Sequence, residues 1–187
     1  DHRDLHSFPT RRSSDLLAAD HARAFRVRVS EMRNPPPNMD VSPDPRLDAF
    51  FAEMLTAQTT LEKLVALYGV LRPALLSAYR EHYEHANPLV DFPTRRMLRH
   101  LISDEADALA WGSAAISAVL PEDDAQGLAA WRDHLSAYLA AAGGISGTAE
   151  FSGELPASRV QRAFVPDYFP QRDARFTQQW NFVFPPH

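Results

Sequence analysis

The chain has 187 residues, 45% hydrophobic, 23% charged and 10% aromatic, the composition of a single globular domain. With 24 acids against 19 bases the net charge is −5, so there is no broad basic footprint and nucleic acid is not an expected partner. The absence of cysteine excludes disulfides, thiolate nucleophiles and Cys-ligated zinc or iron–sulfur clusters. No apolar run approaches the roughly 20 residues that span a bilayer, and nothing marks export, so no membrane partner and a cytoplasmic location are expected.

The N-terminal stretch DHRDLHSFPTRRSSDL (Asp1–Leu16) resembles one reading frame of a common sequencing adapter. On that resemblance it is expected to be an artefact, disordered, with the true start of the chain missing. It is not a secretory leader, because no apolar core of about seven residues follows its arginines. Residues 17–33 place Ala18, Ala22, Phe25, Val29 and Met32 at helical spacing, as in a truncated N-terminal helix. Asn34–Pro45 holds too many prolines for a helix and reads as a linker wrapping a surface.

From Arg46 onward the pattern is strongly helical. Leu47, Phe50, Phe51, Met54, Leu55, Leu61 and Val65 define a first stripe, expected to end near Gly69 and Pro73. Pro73 suits the first turn of a second helix, with Leu75, Ala78, Tyr79, Tyr83 and Ala86 on one face, stopped by Asn87-Pro88. Asp91 offers an N-cap to a third helix, through Leu98, Leu101, Ile102, Leu109, Ile116 and Val119. A fourth starts at Pro121-Glu122-Asp123-Asp124, runs through Leu128, Trp131, Leu135 and Leu139, and stops at Gly143-Gly144. Four amphipathic helices over 46–142 with short connections predict an all-α, antiparallel four-helix bundle. The remainder, 143–187, has no helical period. It carries Phe164, Tyr168, Phe169, Phe176, Trp180, Phe182 and Phe184, and is expected to lie extended on the bundle or to contact a partner.

Each stripe defines an inward direction, and few polar residues share it. Glu105 lies at the centre of the third stripe, His82 in line with Tyr79 and Ala86, Gln58 and Glu62 on the first, and Arg132 beside the fourth. Glu53 points outward on the same wheel. A buried carboxylate requires a proton, a cation or a metal. Two arrangements meet that need. In one, Glu62, His82 and Glu105 converge from three helices as metal ligands. In the other, Glu105 pairs with Arg132, and His82 is satisfied by Gln58 or Tyr79.

The segment MLRHLISDEADALAWG (Met97–Gly112) resembles the ligand-bearing helix of the ferritin-like superfamily, which carries Glu-x-x-His before small and aromatic residues. The resemblance covers roughly residues 46–142. Glu105 takes the position of the motif glutamate, and Ala108 stands where the motif has histidine. The resemblance implies a ferritin-like bundle holding iron or manganese, with the site reduced at Ala108. The function it implies is a divergent, metal-dependent oxidoreductase in which Glu62, His82 and Glu105 bind the ion and an open position activates dioxygen or a peroxide. The alternative is a metal-free helical-bundle interaction or structural module. A homodimer through the bundle or the aromatic tail is compatible with both.

Overall fold

The computed structural model describes residues 7–32, 35–42, 44–120, 125–148 and 154–161, with side chains of the first helix from Leu16 onward. All regular structure among the described residues is helical, as expected for an all-α chain. None of these helices is long and apolar enough to cross a membrane.

Helix α1 (Ser7–Met32) begins inside the adapter-like stretch, where disorder was expected. Pro9 falls in its first turn, where a missing N–H leaves no bond unmade, and neither Gly nor Pro interrupts the residues that follow. Residues 35–42 of the proline-rich linker are irregular and tied back to this helix: Arg26 donates to Asp40 Oδ1 at 2.7 Å and to the Met39 carbonyl at 3.2 Å.

The single helix expected from Arg46 to Gly69 is broken. Helix α2 (Pro45–Met54) is capped by Asp44, whose Oδ1 accepts from the Arg46 N–H at 2.8 Å. It ends where the Thr56 hydroxyl takes the Glu53 carbonyl at 2.8 Å, and the N–H groups of Thr56 and Ala57 bond only three residues back. Threonine hydroxyls compete here with the helical ladder. Helix α3 (Thr60–Leu64) restarts through a capping box: Thr59 Oγ1 accepts from the Glu62 N–H, and Glu62 accepts from the Thr59 N–H.

The break expected between Gly69 and Pro73 is absent. A π-helical turn (Val65–Leu71) joins α3 to α4 (Arg72–His85), and the Arg72 N–H reaches back five residues to the Leu67 carbonyl. An α-helical Pro73 would press its ring on the Gly69 carbonyl and leave it unpaired. Widening one turn accommodates the proline without ending the rod. The extra residue also resets the face that follows, so the buried line of α4 includes Arg72, Leu76 and, just past its end, Ala86.

Helix α5 (Phe92–Val119) starts after a turn in which Asn87 Oδ1 accepts from the Leu89 and Val90 N–H groups. Asp91 occupies the N-cap position, but its carboxylate bonds back to the Asn87 N–H at 3.1 Å. Arg95 fastens the same corner, donating to the carbonyls of Tyr83 and Ala86 and lying over the Tyr83 ring. Helix α6 (Ala125–Ala141) closes at Gly143 and Gly144, with φ of 77° and 78°, and the Gly144 N–H bonds to the Leu139 carbonyl at 2.9 Å. Those left-handed angles are what the glycine pair supplies.

The α3–α4 rod packs against both α5 and α6, α2 packs on α6, and α1 packs on α5. Phe50, Leu98 and Leu135 are fully buried, and Leu61, Val65, Val70, Trp131 and Tyr138 join Phe50 and Leu135 in the main core. Gly112 on α5 faces the Tyr68 ring so closely that a Cβ there would lie 2.2 Å from it. The 154–161 segment is irregular and docks on α2, α3 and α6. The aromatic positions from Phe164 to Phe184 lie outside the described residues.

Candidate functional site

Glu105 is buried, only 3% exposed, as its place at the centre of the α5 stripe predicts. Its partner is not Arg132, which is exposed and lies beside its neighbour Asp133. Arg72 donates to Glu105 Oε2 at 3.0 Å, and His21 Nδ1 lies 3.4 Å from Oε1. His21, itself 6% exposed, places Nε2 3.2 Å from Asp104 Oδ2. The cluster Asp104–His21–Glu105–Arg72 thus spans α1, α4 and α5. The guanidinium of Arg72 also lies 5.3 Å from the centroid of the Tyr68 ring. Beside it, burial and then the Glu105 charge push the Tyr79 phenol up to about 12, with Arg72 opposing, so the hydroxyl stays neutral.

A second polar cluster anchors the 154–161 segment. Glu53, placed outward by the wheel, is 3% exposed. It accepts from Ser158 Oγ at 2.6 Å and the Arg159 N–H at 2.9 Å, and lies 2.9 Å from His134 Nε2. Glu62 accepts from Arg159 Nη1 at 2.6 Å and from the Gln58 N–H at 2.6 Å. The same guanidinium bonds the Thr56 carbonyl and stacks 4.0 Å over Trp131, whose indole N–H donates to the Glu62 carbonyl. Burial raises both carboxyls, but these donors outweigh it and hold Glu53 and Glu62 below the ordinary glutamate value. Burial and the Glu53 charge push the Tyr138 phenol up. Serine, glutamate and histidine meet here in an order unfit for nucleophilic catalysis. The acid sits between Ser158 and His134, so the imidazole does not touch the hydroxyl.

His82 is exposed rather than inward, because the buried line of α4 is set by Arg72 and Leu76. It lines a cleft of about 400 Å³ between α1, α4 and the turn after α6. Glu62, His82 and Glu105 therefore occupy three separate surroundings: the Arg159 latch, the cleft and the buried ion pair. The structure does not bring them together, and among the described residues no group of three or more His, Asp or Glu side chains is placed to hold a metal ion. Iron or manganese has no ready cradle at these positions.

The wheel missed Arg72, His21 and Glu53. Arg72 was hidden by the assumed break at Gly69–Pro73, and Glu53 because the segment that covers it, Ser158 and Arg159, lies 105 and 106 positions away. The T-T-L-E run at Thr59–Glu62 is a capping-box signature that would have revealed the restart. Comparison of this chain with protein-family models, curated proteins and solved structures finds no match.

Proposed function

We propose that this chain is a metal-free helical-bundle module that works by binding rather than by redox chemistry. Its four long members would be α1, the α3–α4 rod, α5 and α6. The observation that carries the reading is the engagement of its carboxylates. Both oxygens of Glu105 face Arg72 and His21, and both oxygens of Glu62 face Arg159 or backbone N–H groups. A ligand set of Glu62, His82 and Glu105 would require both glutamates to abandon charged partners, one of them buried. The ferritin-like oxidoreductase reading rests on that exchange.

Self-association belongs to the same proposal. Leu89, Val90 and Phe92 stand exposed at the α4–α5 corner, an apolar surface of the kind that contacts partners. Elemental analysis after reconstitution with ferrous iron, manganese or zinc tests the metal question. The expected content is under about a tenth of an equivalent, whereas a stoichiometric ion that Glu105→Gln removes would overturn the reading.

A further inference from the structure

The cleft between α1, α4 and the turn after α6 has an apolar floor and a carboxylate-bearing residue at its mouth. Phe25, Leu75 and Ile145 line the floor with Tyr79, and the Phe25 and Tyr79 rings lie 5.5 Å apart at a 40° tilt. Among the described residues Glu81 is the lining's one carboxylate, and neither lysine nor arginine lines it. The nearby guanidinium of Arg72 is committed to Glu105.

Acceptors predominate at the mouth. His85 Nδ1 lies 2.8 Å from the Glu81 carbonyl, which can only accept, so Nδ1 carries a proton. Ser146 and Thr148 bring hydroxyls 2.7 Å apart on the opposite wall. Aromatic faces and a carboxylate attract a cation, whereas an anion would meet the Glu81 carboxylate. A volume of about 400 Å³ is within the range of small-molecule sites.

We propose that this cleft binds a primary arylalkylamine, its ring against Phe25 and Tyr79 and its ammonium at the mouth against Glu81 and the Ser146 and Thr148 hydroxyls. The inference rests on the module working by binding, but not on the absence of a metal. The ammonium donates to the carboxylate and to the hydroxyls, while the ring displaces water from the floor.

Isothermal titration of the full chain with tryptamine, and with indole-3-propionate as its anionic counterpart, tests the proposal. Saturable binding of one tryptamine per chain is expected, at least about tenfold tighter than the propionate. Glu81→Gln, an exposed change that disturbs no packing, is expected to erase that preference. Ala78→Phe, which fills the cleft, is expected to abolish binding of both, with circular dichroism confirming the fold. No saturation by about 10 mM tryptamine, equal or tighter binding of the propionate, or an unchanged preference in Glu81→Gln would each overturn it. Metal content, measured separately on the same protein, distinguishes this failure from failure of the metal-free reading.

Discussion

Truncating Glu105 to alanine isolates the contribution of the buried cluster. The side chains of Glu105 and Arg72 are 3% and 9% exposed, so neither has bulk water as a fallback. Removing the carboxylate leaves a buried guanidinium without its counterion and takes away the group facing His21 Nδ1. Breaking such a pair from one side costs about 3–5 kcal/mol. For a chain of this length each 1 kcal/mol lowers Tm by about 2–4 °C, which sets an expected drop of roughly 6–20 °C. Glu105→Gln keeps the volume and one acceptor for Arg72, so its loss should be smaller. The double variant Arg72→Met/Glu105→Leu should recover most of the stability, because an apolar pair of similar volume is often as good as the ions it replaces. Urea unfolding followed by circular dichroism reads all three. If Glu105→Ala changes stability by less than about 0.5 kcal/mol, the carboxylate is not the counterion of Arg72 and the account of the core fails.

Three further outcomes follow from the same geometry. Gly112→Ala drives a Cβ into the Tyr68 ring, 2.2 Å away, and should cost about 1–3 kcal/mol or more in chemical denaturation. Arg159→Ala removes the guanidinium from Glu62, the Thr56 carbonyl and the Trp131 face, and should cost about 1–3 kcal/mol with a change in Trp131 fluorescence. An unchanged emission spectrum would place the 154–161 segment off that surface. Glu53 and Glu62 titrate below the ordinary value of 4.5 in the folded chain. Their contribution to stability is therefore fully present above about pH 4.5 and is lost as pH falls through the lowered folded values. Stability measured from pH 6 to pH 3 should fall with acid in the wild type, and less steeply in a Ser158→Ala/Arg159→Ala variant that lacks the donors.

Much of the helical content was legible because amphipathic periodicity is a local signal. The α5 stripe identified Glu105 as an inward carboxylate, and α6 was readable from Leu128 to its glycine terminus. The errors have causes that a local wheel does not carry. Glu53 is covered by Ser158 and Arg159, 105 and 106 positions away, and the buried line of α4 runs through Arg72, before the assumed helix start, and Leu76, so His82 falls off it. The partner of Glu105 was out of reach as well, since Arg72 and His21 lie 33 and 84 positions away, and no local pattern specifies which cation arrives.

Length, composition and charge at the outset excluded cysteine chemistry and a broad basic surface, and periodicity determined that the chain is helical. Those properties depend on residue identity and on neighbours within a turn or two, so they are written in the sequence itself. Only the tertiary structure decided what each inward charge meets, Arg72 and His21 for Glu105 and Arg159 for Glu62, and that His82 lies exposed at a cleft. A buried carboxylate announces that it needs a counterion, but the identity of that counterion is settled by which helices pack together.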